Sequence, residues 1–144
     1  MTIEELHKLW DKKNNGKAAN SEHDLQCQFV RWFRYKHPKL PMYAIPNGGL
    51  RTKTTARKLK EEGQTAGVPD IHIPIGRHGF LSLYIEWKNG KQGRLSDSQK
   101  HMIALLELHK NKVAVCRTLE EGIEVVEEYL NTNNNENKNF GRDT

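Results

Sequence analysis

Two acids and a lysine fall where a folded hairpin would bring them together. Asp70 closes Gly67-Val68-Pro69-Asp70, and Glu86 and Lys88 lie in Tyr84-Ile85-Glu86-Trp87-Lys88. Ile71, Ile73 and Ile75 alternate with polar or small partners, as do Leu81, Leu83, Ile85 and Trp87, so both runs predict strands. Gly76-Arg77-His78-Gly79 supplies the turn between them. An antiparallel hairpin folded about His78 sets Asp70 opposite Glu86, and cross-strand partners stand roughly 5 Å apart. Two carboxylates at that separation can hold one divalent cation. Glu86 and Lys88 share a face, about 7 Å apart, because side chains two apart on a strand point the same way. Such a layout suits metal-dependent cleavage of a phosphodiester. The bare signal is weak, since an Asp before a strand is common turn chemistry and Glu-x-Lys is commonly a solvated ion pair.

The elements that must position these residues are readable along the chain. Residues 2–10 predict a short helix with Ile3, Leu6 and Trp10 on one side, and residues 11–20 a polar linker. Ser21 opens a longer helix to about Lys36, with Asp24 at the capping-box position. A short strand over Met42–Ile45 ends in Pro46-Asn47-Gly48-Gly49. A helix over 52–62 is stopped by Gly63, and the hairpin strands follow at 70–75 and 80–88. Ser96 with Gln99 caps a helix running through His109. Val113–Cys116 reads as a buried strand, 119–130 as a last helix, and the Asn-rich tail from Asn131 as disordered.

Two polar residues on these helices depart from an ordinary core pattern. On the helix from Ser21, Glu22 and Gln26 share an arc of about 60° with Phe29 and Phe33 at 100° per residue. An acid and an amide therefore share the core stripe, and an unpaired buried carboxylate is costly. Glu22 either serves the site or is a first-turn acid favoured by the helix dipole. Gln99 shares a stripe with Met102, Ile103 and Leu106, and it can cap its helix and also face the site.

At 144 residues with a net charge of +5, the chain is one domain with a bias toward polyanionic partners. The segment Arg51 to Lys60 carries five cations and no acid. Together with Asn47 and Gly48 it has the composition of a phosphate-contacting segment, with Arg51, Lys53, Arg57 and Lys58 as candidates. An ordinary solvated helix face is the plainer reading. Lys91, Arg94 and Lys100 extend the basic surface beyond the hairpin. Cys27 and Cys116 are too few for a disulfide framework or a zinc site, and they predict buried free thiols. Neither a signal peptide nor an apolar run of membrane length is visible, so a cytoplasmic protein without membrane association is expected, in a bacterial or phage-infected cell.

Five separated blocks carry a family resemblance: Glu22-x-x-x-Gln26, Ile45-Pro46-Asn47-Gly48-Gly49-x-Arg51, Gly63-x-x-x-Gly67-Val68-Pro69-Asp70, Ile85-Glu86-Trp87-Lys88 and Gly93-Arg94-Leu95-Ser96-x-x-Gln99. In that order they resemble the VRR-NUC (virus-type replication-repair nuclease) family of the PD-(D/E)xK superfamily, in its stand-alone form. The resemblance implies an α/β restriction-endonuclease-like core, a mixed β-sheet flanked by helices, and DNA cleavage dependent on Mg²⁺ or Mn²⁺. It assigns Asp70, Glu86 and the Trp87 carbonyl to the metal, with Glu22 as an accessory ligand position. Lys88 becomes the active-site lysine and Gln99 an accessory polar residue. His72, on the Asp70 face, matches no motif. Expected boundaries are an N-terminal helical segment and linker over 1–20, the nuclease domain over 21–130 and the tail over 131–144. Branched DNA such as a four-way junction and a homodimer are the expected partners. A flap-type monomer, an RNA substrate and a non-catalytic DNA-binding module of the same fold stay open.

Overall fold

The computed structural model describes residues 2–14, 21–47 and 52–131. Among the described residues five helices and four strands follow one another as α1 (Ile3–Lys13), α2 (Glu22–Lys36), β1 (Tyr43–Ala44), α3 (Lys53–Glu61), β2 (Ile71–Ile73), β3 (Leu83–Trp87), α4 (Asp97–Leu108), β4 (Lys112–Cys116) and α5 (Leu119–Leu130). Four helices begin as their sequences require. Ser21 with Asp24 and Ser96 with Gln99 form reciprocal capping boxes, and Thr52 and Thr118 cap α3 and α5 through their hydroxyls. Thr2 and Glu5 form a third box, and α1 runs to Lys13, past the expected start of the linker. The rest of that linker and the C-terminal tail lie outside the described residues.

The strands form one mixed sheet in the order β1-β2-β3-β4. β1 and β2 pair antiparallel, as do β2 and β3, while β4 runs parallel to β3 after the α4 crossover. Helices cover both faces, which gives the expected α/β architecture. On one face Phe29, Trp32 and Phe33 of α2 and Leu119, Val126 and Tyr129 of α5 bury Ile71, Ile73, Leu83, Ile85 and Trp87. Each large side chain so buried contributes about 1.5–3 kcal/mol. Leu6 joins the same core, so α1 folds back on its own chain. Gly122 in α5 admits the Trp87 ring, because a Cβ there would meet Trp87 Cη2 at 2.5 Å.

Four expectations change. The hairpin strands are shorter than the apolar alternation suggests, because Pro74 has no N–H to continue the ladder. Between the pairs Ile73↔Leu83 and Arg77↔Phe80, Pro74, Ile75 and Gly76 face only Leu81 and Ser82, which is a bulge. The chain then reverses over His78 (φ 53) and Gly79 (φ 81), the two positive φ values that a tight hairpin loop demands. β4 is an edge strand with Val115 exposed, not a buried one, because among the described residues no strand pairs beyond it. Cys27 lies on the outer side of α2 and is exposed, its Sγ 3.5 Å from His23 Nε2, whereas Cys116 is buried. Burial, with Glu121 nearby, pushes the Cys116 thiol up to about 12, so it stays protonated. Finally, the buried amide of α2 is Gln28, while Gln26 is only half-buried and Glu22 is exposed in the first turn.

Candidate active site

Register makes the site. The ladder pairs Ile71 with Ile85, His72 with Tyr84 and Ile73 with Leu83, so one step further Asp70 stands beside Glu86. Alternation sends Ile71, Ile73, Leu83, Ile85 and Trp87 into the core and leaves Asp70, His72, Tyr84, Glu86 and Lys88 on the other face. Lys88 N–H donates to Cys116 O at 3.0 Å, which turns the even-numbered backbone groups of β3 toward β4 and the odd-numbered ones toward β2. Trp87 therefore looks toward β2, where the same register sets Pro69 opposite it. Pro69 has no N–H, so the ladder offers the Trp87 carbonyl no donor. The Trp87 N–H is taken instead by Asp70 Oδ2 at 2.8 Å, and Ile45 N–H holds the Asp70 carbonyl at 2.7 Å. The Pro-Asp dipeptide thus both frees a main-chain oxygen and aims a carboxylate beside it.

Glu86 is 2% exposed, yet only one of its oxygens is engaged. Oε1 accepts from Gln99 Nε2 at 2.7 Å and lies 3.6 Å from Lys88 Nζ, whereas Oε2 is buried with no hydrogen-bond partner. Burial, and then the neighbouring Asp70 and Glu22 carboxylates, push the Glu86 carboxyl up to about 7 against the pull of Lys88. Asp70 is also raised, chiefly by burial and further by Glu22, although its bond from Trp87 N–H opposes this. A buried acid with an orphaned oxygen beside a half-buried one fits a bound cation better than mutual repulsion. Among the described residues no three His, Cys, Asp or Glu side chains stand close enough to cage a metal alone. A hard divalent ion does not require that. Asp70, Glu86 Oε2 and the Trp87 carbonyl are three oxygen donors, and water can complete the shell of an ion such as Mg²⁺.

The flanking helices reach this face from two sides. Gln99 does both things its position allows: Oε1 accepts from Ser96 N–H at 2.9 Å in the capping box while Nε2 holds Glu86. Gly67 (φ +88) lets this contact form, since a Cβ there would sit 2.3 Å from Ser98 O at the start of α4. Glu22 is not buried in the core stripe. Its Oε1 accepts from Asn89 N–H at 3.2 Å, just beyond Lys88, which explains how it bears on both acids. The basic candidates are more dispersed. Asn47 Nδ2 donates to Val68 O, two residues before Asp70, so it braces the loop. Lys53, Arg57 and Lys58 are exposed on α3, with Arg57 Nε 3.8 Å from Glu61 in a surface pair of small worth. Lys91 and Arg94 are exposed in the turn after β3. Gly48 and Arg51 lie outside the described residues.

One cluster on this face escapes sequence reasoning. Tyr43 pairs with His72 across β1 and β2, and His72 with Tyr84 across β2 and β3, in the row next to Asp70 and Glu86. Alternation alone puts His72 on the Asp70 face. Its tyrosine neighbours need the sheet register, and a two-residue β1 leaves no periodic signal for that.

The VRR-NUC domain model matches residues 8–119. A solved structure described as a VRR_NUC domain protein superposes with a TM-score of 0.67 at 24% identity, covering 79% of this chain and 90% of that one. No match was found among curated proteins.

Proposed function

This chain belongs to the VRR-NUC domain family, and from its nuclease-type fold we propose that it is a divalent-metal-dependent DNA endonuclease whose site is Asp70, Glu86 and Lys88. The observation that carries this reading is the orphaned Oε2 of a fully buried Glu86 next to Asp70. A purely structural acid would have both oxygens satisfied. A DNA-binding module would gain nothing from two carboxylates where phosphates must approach.

Asp70, Glu86 and the Trp87 carbonyl would hold Mg²⁺ or Mn²⁺, with Glu22 at the rim bearing on a second ion or on bound water. When bound, such an ion polarises the phosphate and lowers the pKa of a coordinated water. The rest is the work of the chain. Gln99 fixes Glu86 through Oε1 and leaves Oε2 for the ligand; Trp87 N–H fixes Asp70 through Oδ2. Lys88, 9% exposed and leaning on Glu86, carries its ammonium where charge grows on the attacked phosphate. The water oxygen bonds to phosphorus, the P–O3′ bond breaks and the 3′ oxygen takes up a proton, leaving 5′-phosphate and 3′-hydroxyl ends.

Branched DNA and a homodimer complete the proposal. Support for a second copy comes from α4 and the edge strand β4. α4 buries no residue fully and leaves Leu105 at 40% and Leu108 at 74% exposure, and Val115 of β4 is exposed as well. The Ile3, Leu6 and Trp10 side of α1 gives no such support, since Leu6 is spent in the chain's own core. Lys53 and Lys58 are the described cations best suited to track the phosphate backbone.

The test is cleavage of linear, flap and four-way-junction DNA with Mg²⁺, with Mn²⁺ and with EDTA, alongside light scattering. Cleavage that survives EDTA or Glu86→Ala refutes the metal site. A monomer that prefers flaps refutes the junction dimer.

A further inference from the structure

The row beside the acids has a geometry that sheet packing does not require. Tyr43 Oη is 2.5 Å from His72 Nδ1, and the imidazole lies flat on Tyr84 with ring centroids 4.2 Å apart and 20° between planes. Tyr43 meets the same imidazole edge-on, at 5.2 Å and 83°, with nearly half of its own surface exposed. The Tyr43 hydroxyl can accept from Nδ1–H or donate to a bare Nδ1, and in the tautomer in which it donates, Nε2 carries the N–H. Among the described residues Nε2 itself makes no hydrogen bond, and it is not sealed from solvent.

His72 is two residues from Asp70, and Tyr84 is two from Glu86. The row is therefore displaced from the acids by about 7 Å along the strands. Among the described residues His72 forms no ligand trio with the two acids. The displacement is comparable to the step between neighbouring phosphates on one DNA strand. An uncharged donor, oriented from behind by a tyrosine and clamped on a second, is suited to a non-bridging phosphate oxygen. Its lack of charge would not compete with the cation that the acids hold.

We propose that Tyr43, His72 and Tyr84 form a nucleotide subsite in which His72 Nε2–H donates to the phosphate adjoining the scissile one on the same strand. This assignment rests on the nuclease reading above. It makes His72 a substrate-binding residue, Tyr43 the residue that sets its tautomer, and Tyr84 the support for its ring.

Steady-state cleavage by wild type, His72→Ala, His72→Gln and Tyr43→Phe, each at several salt concentrations, tests it. A hydrogen bond to a charged oxygen predicts a rise in KM for His72→Ala of about tenfold or more, with a far smaller change in kcat. His72→Gln, whose amide N–H reaches the Nε2 position, recovers most of that loss. Tyr43→Phe, which removes one hydroxyl from a half-exposed ring and should fold normally, raises KM to an intermediate value. Because a neutral donor releases no counterion, the dependence of log KM on log salt stays that of wild type. ¹⁵N NMR should show the His72 proton on Nε2 in wild type and a mixture of tautomers in Tyr43→Phe. If wild type cleaves DNA but both Tyr43→Phe and His72→Ala keep its KM, the subsite is wrong and the nuclease reading stands. If wild type cleaves nothing with either metal, both fall.

Discussion

Replacing Glu86 by Gln should stabilise the metal-free protein at pH 8. In the folded chain the carboxyl is pushed from 4.5 up to about 7, first by burial and next by Asp70. The folded state therefore holds this proton more tightly than the unfolded chain does. Stability from this group is complete below about pH 4.5 and is lost as the pH rises through about 7. A displacement of that size corresponds to roughly 3 kcal/mol of unfavourable free energy once the group is ionised. Gln has the same shape without the charge, and it can still accept from Gln99. At roughly 3 °C of Tm per kcal/mol for a domain of this size, Glu86→Gln should melt as much as about 10 °C higher than wild type at pH 8. At pH 4.5 to 5, where Glu86 is already protonated, the gain should nearly vanish. Thermal melts by circular dichroism across pH 4.5–8.5 in EDTA measure this directly. Adding Mg²⁺ should raise the wild-type Tm, by mass action on the folded state, and leave the variant almost unmoved. A variant that melts lower than wild type at pH 8 would refute the reasoning, since it would make ionised Glu86 a stabilising partner of Lys88.

Three further outcomes follow from the same geometry. Lys88→Ala should lower kcat by at least about a hundredfold while calorimetric Mg²⁺ binding stays within a few-fold of wild type, because its ammonium acts on the phosphate rather than the ion. Glu22→Gln should weaken metal binding with little change in Tm at low pH. It should also move the wild-type pH midpoint of stability loss downward, since Glu22 is one of the charges raising Asp70 and Glu86; an unmoved midpoint in the melts would separate Glu22 from the site. Neutralising Lys53 and Lys58 together should reduce the slope of log Kd against log salt by about 2 if both contact phosphates, and fluorescence anisotropy on labelled DNA reads it.

Local rules were enough to write most of the frame in the sequence. Ser21, Thr52, Ser96 and Thr118 start helices because their hydroxyls satisfy backbone donors wherever the rest of the chain goes. Alternation with period 2 sorted Ile71, Ile73, Ile85 and Trp87 from Asp70, Glu86 and Lys88, and a turn near His78 fixed which acid meets which. Alternation does not count ladder hydrogen bonds. The expected strands therefore ran through Pro74 and missed the bulge that keeps the register despite a turn offset by one residue. The helical wheel failed at Glu22 because the wheel describes a complete helix, whereas the first residue of α2 projects past the sheet toward Asn89.

The sequence by itself determined residue chemistry and local period: two acids, a lysine and a capping Gln on amphipathic elements, with Pro69 fixed next to Asp70. Only the tertiary structure decided how those residues are held. That one Glu86 oxygen is taken by Gln99 and the other left bare depends on α4 crossing back over the sheet. That Tyr43 reaches His72 depends on a two-residue strand finding its place at the sheet edge. Both are contacts between elements far apart in the chain. Hydrogen-bond satisfaction and burial, the terms that set the charge state of a site, are properties of such contacts and not of any local pattern.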